Sequence, residues 1–226
     1  DVSRLMAGAW GTLGLLTEVS LKVLPVAPAE ATLRFECNQA DALRKLHAWG
    51  GQPLPLNASC WVEDAGVGQL YVRLRGAVAA VDAACKSMGG TRLDNATAAP
   101  DWQACREQTL PWFAARLARP GQALWRLSLP ATAPVLALPG GVSPLVEWHG
   151  ALRWVQAPLA HGDVLREAAR AVDGSASLFI ADGAGGERAG GQFDLKSAAL
   201  EQIHARLKHS FDPAGIFNPG RMAPQW

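Results

Sequence analysis

The 226-residue sequence lacks several patterns that would assign a function class directly. It has no apolar run approaching about 18 residues, so no segment is expected to cross a membrane as a helix. The 21 lysines and arginines nearly balance the 20 aspartates and glutamates. Because the arginines are also scattered, neither nucleic acid nor an anionic lipid surface is an expected partner.

Cysteine is scarce and spaced too widely for a metal site. The four cysteines form no C-x-x-C pair and have no clustered histidines, so we expect no bound metal. In a chain of this length, such spacing is typical of buried free thiols in a cytoplasmic protein. The residues concerned are Cys37, Cys60, Cys85 and Cys105.

Tyrosine is represented by one residue, whereas tryptophan has nine spread along the chain. This distribution favours core and interface anchors over a single stacking site. The five histidines are equally scattered, and no Ser-His-Asp, paired-carboxylate or metalloprotease pattern is present. The residues therefore leave the catalytic groups unassigned.

The middle of the chain, about 29–196, alternates between the hydrophobic periods of strands and helices. Its first part follows the order β-α-β-β-α with a short strand at 91–94, which is the ferredoxin-like split β-α-β pattern. A β-β-α-β set follows between 124 and 181. We predict an α+β fold with one ferredoxin-like antiparallel sheet and helices on one face. The Gly-rich segment 182–192 lacks the G-x-x-x-x-G-K-[ST] order and is predicted to be a surface loop.

Residues 69–75 alternate as a half-buried strand does. The two predicted sets are Leu70, Val72 and Leu74 on the inner face, and Tyr71, Arg73 and Arg75 facing outward or towards a partner.

Glycines occupy every third position near the start, at Gly8, Gly11 and Gly14, and the apolar segment that follows at 15–24 is predicted to form a strand. Glycine allows positive φ and close approach to the backbone. Backbone N–H groups exposed in this way, with the Thr12 hydroxyl, can bind phosphate or ribose oxygens without a charged side chain. The alternative is a Gly-rich turn that leads into a buried strand.

A second motif closes the sequence at 211–221, where a helical pattern ends in Asp-Pro, Gly and Asn-Pro-Gly turn signals. Asn218 carries two donors and an acceptor, so it could recognise the polar edge of a ring. The alternative is that Asn218 only forms the turn.

Together the two motifs resemble the FAD-linked oxidases of the vanillyl-alcohol-oxidase type, and among them the FAD-binding subunits of bacterial glycolate oxidases. The resemblance spans the chain, but only about the first 25 and last 16 residues are motif-specific. It implies that Asn218 lies near the isoalloxazine and that Arg221 is a candidate for a substrate carboxylate. Ala9 and Trp10 stand where the relatives often carry Ser and an acidic residue. The positions implied to line FAD are Gly8, Gly11, Thr12, Gly14 and Leu15.

The resemblance also implies three parts: a remnant of the FAD-binding domain at 1–25, a cap and substrate domain at 26–210, and a tail at 211–226 that returns to the flavin side. Relatives carry their pyrophosphate-binding half before the first motif. We therefore expect this chain to be a fragment that does not hold FAD tightly and that self-associates through uncovered apolar surface.

The activity that the resemblance implies is oxidation of a small 2-hydroxy acid such as glycolate by hydride transfer to FAD. The implied partners are a second FAD-linked subunit and an iron–sulfur subunit, through which a cytoplasmic protein would lie peripheral to the inner membrane. The alternative function is a non-catalytic assembly subunit that supports a second flavoprotein subunit.

Overall fold

The structure is a computed structural model that describes residues 1–181, 193–194 and 197–223. Its backbone contacts divide the chain into a first unit, 1–24 with 185–226, and a second unit, 25–184. The Gly-rich loop predicted at 182–192 lies outside the described residues. The domain bounds expected from the sequence stay a prediction.

The described helices and strands are as follows. The α-helices are α1 (Val2–Met6), α2 (Gln39–Gly50), α3 (Val78–Met88), α4 (Asn95–Glu107), α5 (Pro111–Ala114), α6 (Gly162–Arg170) and α7 (Ala198–Phe211). The strands are β1 (Ala29–Glu36), β2 (Leu56–Asp64), β3 (Val67–Gly76), β4 (Thr91–Leu93), β5 (Gln122–Ser128), β6 (Leu145–Glu147), β7 (Leu152–Pro158) and β8 (Ser175–Ile180). Short 3-10 turns occur at Ala115–Ala118, Pro139–Gly141, Trp148–Gly150 and Leu159–His161.

The second unit contains one antiparallel sheet in the order β4-β1-β3-β2-β6-β7-β5-β8. One half of the sheet, β4-β1-β3-β2, has the ferredoxin-like strand order. The other half, β6-β7-β5-β8, has the same order read in the opposite direction across the sheet. The two halves join where β2 pairs with β6, at Cys60 with Glu147 and Trp61 with Val146. The predicted α+β class with a ferredoxin-like antiparallel sheet is confirmed.

Helices cover one face of the sheet as predicted, and further helices cover part of the other. Helices α2 and α3 pack on the first half through residues such as Leu46 and Val81, and α6 packs on the second half through Leu165. The difference from the prediction is α4 with α5, which buries Trp102 and Phe113 against the opposite face. The reason is that this face is also apolar and must be covered.

The predicted register of β3 is confirmed on its inner face. Leu70, Val72 and Leu74 are fully buried in the core shared with α2 and α3. Tyr71 and Arg73, on the outer face, are half-buried beneath α4, where Arg73 lies over the Trp102 ring. The outer face of this strand therefore contacts a second layer instead of bulk solvent.

The apolar segment 15–24 does not form the strand that its sequence predicts. Leu15, Leu21, Val23 and Leu24 each expose at least 80% of their surface. A strand needs a partner for its backbone N–H and C=O groups, and no described strand pairs with this segment. Self-association through this surface stays a prediction. Separately, none of the helices in the described ranges is both long and apolar enough to span a bilayer.

The four cysteines are free thiols, and they differ in burial. Cys60 and Cys105 are buried, and the Cys105 Sγ donates to Glu147 Oε1 at 2.8 Å. The pKa of Cys105 is raised, mainly by the hydrogen bond between the two thiols and next by burial. Cys37 and Cys85 are partly exposed. Among the described residues, no three histidines, cysteines or acids come together as a metal site.

Thiol titration is expected to separate these cysteines into two classes. In denaturant without reductant, all four should react, because none is linked. In the native protein Cys37 and Cys85 should react first, since the thiols of Cys60 and Cys105 are buried and a reagent cannot reach them without local unfolding. Mass spectrometry after brief alkylation assigns the sites. A disulfide-shifted mass, or fast native modification of Cys105, would contradict the prediction.

Candidate functional site

The first Gly-rich motif forms a tight turn after α1, which is capped at its N-terminus by the Asp1 carboxylate. Trp10 and Gly11 both have positive φ, at 53° and 70°, as the central residues of a type I′ turn do. The Thr12 amide closes this turn by donating to the Ala9 carbonyl at 3.0 Å, and the Thr12 hydroxyl donates to the same oxygen at 2.6 Å. Thr12 is thereby buried and held by the backbone.

The terminal motif forms a second turn, from Asn218 to Arg221. The Arg221 amide donates to the Asn218 carbonyl at 3.2 Å, and Gly220 has a φ of 72°. Glycine with positive φ at the third position is what a type II turn requires, and proline at the second position is common there. The Asn-Pro-Gly signal therefore forms the turn expected from its residues.

The two motifs meet within the first unit although they lie 208 positions apart in the chain. Asn218 Nδ2 donates to the Trp10 carbonyl at 3.0 Å and lies 3.4 Å from that of Gly11. A Cβ on Gly11 would lie 2.7 Å from the same nitrogen, on a residue with φ of 70°, so a larger residue would strain this contact. The Arg221 guanidinium lies 5.0 Å from the centroid of the Trp10 ring, a cation–π contact.

A buried lysine ties both motifs to the last helix. Lys208, near the end of α7, is 5% exposed and uses its ammonium group for three hydrogen bonds. Nζ donates to the Thr12 carbonyl at 2.8 Å, to the Phe217 carbonyl at 2.7 Å and to Asp212 Oδ2 at 2.5 Å. An ammonium has three donors, so this buried charge is fully satisfied.

The Asp212 carboxylate is the acidic group of this cluster. Oδ1 accepts the Ile216 amide at 3.0 Å and Oδ2 accepts the Phe217 amide at 2.8 Å. Burial alone raises the pKa of this carboxyl, but the hydrogen bonds from Lys208 and the two amides outweigh it and leave the pKa at about 2. The carboxylate is therefore ionised at neutral pH and fixes the chain that leads into the terminal turn.

The contribution of Asp212 to stability should depend on pH in a defined direction. A folded pKa of about 2 lies below the value of about 3.9 for an unfolded Asp. Stability from the ionised form is therefore present above pH ~4 and is lost as the pH falls through the folded pKa. We expect the difference in free energy of unfolding between wild type and Asp212→Asn to be largest above pH ~4 and to shrink towards pH ~2.

Urea titrations at a series of pH values measure this difference. Asp163→Asn is the control, because the Asp163 side chain is 93% exposed in an ion pair with Arg166. A constant difference between wild type and Asp212→Asn across the acidic range would contradict the expected change.

The structure brings some of the predicted site residues together and leaves others apart. Gly11, Asn218 and Arg221 share one cluster with Trp10, and Thr12 is bound to it through Lys208. The residues outside the cluster are Gly8 and Gly14, where an added Cβ would meet nothing, and Leu15, which is 80% exposed. Their predicted roles stay predictions.

The cluster has a definite binding chemistry. In the described part of the chain the amides of Trp10 and Gly11 donate no hydrogen bond. Exposed backbone N–H groups at glycines can bind anionic or polar oxygens. The Arg221 cation and the Trp10 ring lie beside them. This arrangement can hold a ligand that carries phosphate, hydroxyl or carboxylate oxygens and a flat ring.

Comparison with known proteins places the sequence beside a characterised subunit. No protein-family model matches the chain. The glycolate oxidase subunit GlcE of Escherichia coli (strain K12) is 42% identical over 222 residues, which are 98% of this chain. The chain is a relative of this glycolate oxidase subunit. It spans 57% of the subunit's length. The resemblance predicted from the two terminal motifs is thus confirmed.

Sequence reasoning missed two residues of the cluster, Lys208 and Asp212. A local signal was present, because a lysine followed four residues later by an aspartate at a helix end can form an ion pair. Such pairs are usually exposed and weak. Only the structure shows that Lys208 is buried and that its other two acceptors are backbone carbonyls from distant segments.

Proposed function

We propose that this chain is part of a flavin-dependent oxidoreductase that oxidises a small 2-hydroxy acid, and that the protein containing it is the FAD-binding subunit of a glycolate oxidase. The observation that carries the proposal is the contact between Asn218 and the Trp10–Gly11 turn, which unites the two motifs. The similarity to the Escherichia coli subunit supports the same activity. Because fold alone does not define a substrate, glycolate itself is part of the proposal.

The residues of the cluster fit the polar parts of FAD. The amides of Trp10 and Gly11, which donate no hydrogen bond within the described residues, suit phosphate and ribose oxygens. Asn218 has its amide nitrogen on the Trp10 carbonyl, which leaves its Oδ1 as an acceptor for a ring N–H. When bound, FAD would supply acceptance of a hydride from the substrate α-carbon.

The chain's own residues would then bind and orient. Lys208 and Asp212 hold the two turns at fixed positions, so the Asn218 amide does not have to be ordered on binding. Arg221 provides a cation for the carboxylate of a 2-hydroxy acid, and the Trp10 ring fixes the direction of its guanidinium. Binding of a planar carboxylate by arginine is geometrically specific.

The experiment is an anaerobic flavin spectrum of the complete subunit, purified with its partner subunits, before and after addition of glycolate. We expect the bound flavin to bleach as it is reduced. A second FAD-linked subunit would also contribute to this signal. The control complex therefore carries Arg221→Gln in this chain alone, so that a difference in bleaching between the two samples comes from this chain. Flavin that is bound by this subunit but is not reduced by any 2-hydroxy acid would support the assembly-subunit alternative and overturn the proposal.

The 226-residue chain by itself is proposed to bind FAD weakly. The cluster provides one wall of a site, and a cofactor of this size binds well only when most of its surface is enclosed. Purified chain should be colourless, and titration with FAD should show weak binding. A yellow protein with about one flavin per chain would contradict this part of the proposal.

A further inference from the structure

A cavity of about 480 Å³ lies in the second unit, between helices α4 and α5 and the face of the sheet that they cover. This volume is within the range of sites for small organic molecules. All of its lining residues belong to 32–115, so none is shared with the flavin cluster. Its floor is almost fully buried, and a ligand would therefore meet the half-buried walls and the exposed mouth. The floor residues are Thr32, Cys60, Ala98, Trp102 and Cys105.

The walls of this cavity are apolar and partly accessible. Leu93 of β4, Leu110 and Trp112 line it and are each half-buried. The Trp112 ring meets the Phe113 ring edge-on, with 5.1 Å between their centroids, and the Trp112 carbonyl accepts the Gln156 side-chain amide. The indole wall is thus held in place by the protein, which lowers the cost of ordering it when a ligand binds.

The mouth of the cavity is acidic. Glu63 and Asp64 at the end of β2 and Asp101 on α4 line it, and all three are exposed. Within the described ranges, none of these carboxylates forms an ion pair. The lining residues include no lysine, arginine or histidine. The charge of the mouth therefore favours a cation and disfavours an anion.

The Tyr71 side chain is a second polar feature of the cavity, beside the carboxylates. Burial raises the pKa of Tyr71, the Arg34 charge lowers it, and the charges of Asp101 and Asp64 raise it, so the hydroxyl is neutral at pH 7. Arg34 lies opposite Tyr71 on β1 but does not line the cavity. A neutral phenol oxygen can accept a hydrogen bond from an ammonium group, and a phenol ring attracts a cation.

The combination of apolar walls and an acidic mouth distinguishes between kinds of cation. A bare metal ion needs several ligands that converge on one point, and among the described residues no three histidines, cysteines or acids do so. An organic ammonium ion needs only nearby carboxylates for its charge. Its hydrocarbon part can in addition remove the surfaces of Leu93, Leu110 and Trp112 from water.

We infer that this cavity binds a small aromatic amine as its ammonium ion, with the ring between Leu110 and Trp112 and the ammonium group at the mouth, beside Asp64, Asp101 and the Tyr71 hydroxyl. This site goes beyond the proposed flavin chemistry. It is complete within the second unit and needs no flavin.

The test is calorimetric titration of the full chain, without flavin, with 2-phenylethylamine as the probe at pH 7. Three related compounds each change one property: 2-phenylethanol lacks the charge, phenylacetate reverses it, and ethylamine lacks the ring. We expect 2-phenylethylamine to bind more tightly than each of the three. Asp64→Asn combined with Asp101→Asn should weaken its binding about tenfold or more, as expected for the loss of two charge-assisted contacts.

Glu107→Gln is the matched control, because Glu107 lies on the same helix as Asp101, pairs with Arg106 and does not line the cavity. It should leave the affinity unchanged. Tyr71→Phe keeps the ring without the hydroxyl and should bind with intermediate affinity. The Trp112 indole N–H resonance should shift on binding.

Absence of 2-phenylethylamine binding, equal affinity for ethylamine, or equal affinity in wild type and the double Asp variant would each overturn the inference. So would a loss of affinity in Glu107→Gln as large as that in the double variant, because binding would then follow net charge instead of the cavity. Since no flavin is present, these outcomes do not depend on the proposed oxidase activity.

Discussion

Val72→Asp is expected to unfold the second unit or to leave it barely stable. Val72 is fully buried in the core formed by β1, β3, α2 and α3, and no described cation lies in that core. A carboxylate placed there is an unpaired buried charge, which costs at least about 4 kcal/mol. Whole domains are stable by only about 5–15 kcal/mol. Circular dichroism during thermal and urea unfolding measures the loss.

The matched control is Val67→Asp, the same change at the start of the same strand. Val67 is 40% exposed and lies beside the turn between β2 and β3, so the carboxylate can reach water. It should change the free energy of unfolding by less than about 1 kcal/mol. Similar losses of stability in the two variants would reject the register of β3.

Lys208→Met is expected to have the second large effect, confined to the first unit. The change leaves the Asp212 carboxylate buried without its cation and removes the donors to the Thr12 and Phe217 carbonyls. Breaking a buried ion pair by removing one partner typically costs about 3–5 kcal/mol. Hydrogen exchange at the amides of Thr12 and Phe217 should accelerate strongly, while exchange in the β1–β3 core should not change.

Two variants make this prediction specific. Lys86→Met removes an exposed lysine at the end of α3 and should change exchange in neither unit. Lys208→Met combined with Asp212→Leu removes the stranded charge as well, so it should be less harmful than Lys208→Met alone. If the amides of Thr12 and Phe217 exchange as slowly in Lys208→Met as in wild type, the role given to Lys208 is contradicted.

The ferredoxin-like sheet could be predicted from the sequence because its signals are local. The alternation of Leu70, Val72 and Leu74 with polar neighbours is contained in seven residues, and the glycines that end α3 mark its boundary. The second helical layer was less predictable. Trp102 and Cys105 show only that α4 has an apolar side, and periodicity does not say which face of the sheet that side covers.

Segment 15–24 shows the limit of the same reasoning. Its residues are as apolar and β-rich as those of a central strand, but whether they form one depends on a partner strand. Within the described residues no partner is present, and Leu21 is 80% exposed. Strand propensity is thus a local property, whereas strand formation is not.

The candidate site was predictable in its residues and not in its contacts. Turn chemistry and resemblance singled out Gly11, Asn218 and Arg221 separately. That Asn218 donates to the Trp10 carbonyl, or that Trp10 supports Arg221, depends on the path of about 200 intervening residues. The burial of Lys208 could not be predicted from the sequence because most lysines near helix ends are exposed.

The measurement that tests the central claim most directly is the flavin content of the complete subunit carrying Gly11→Ala. The new Cβ would lie 2.7 Å from Asn218 Nδ2, on a residue with positive φ, and should separate the two motifs. The matched control is Gly66→Ala, where φ is also positive at 81° but an added Cβ meets nothing within 4 Å. If the two motifs form one wall of the flavin site, Gly11→Ala should be folded by circular dichroism and should lose most of its flavin, whereas Gly66→Ala should retain it. A folded Gly11→Ala subunit that keeps the wild-type flavin content would contradict the account.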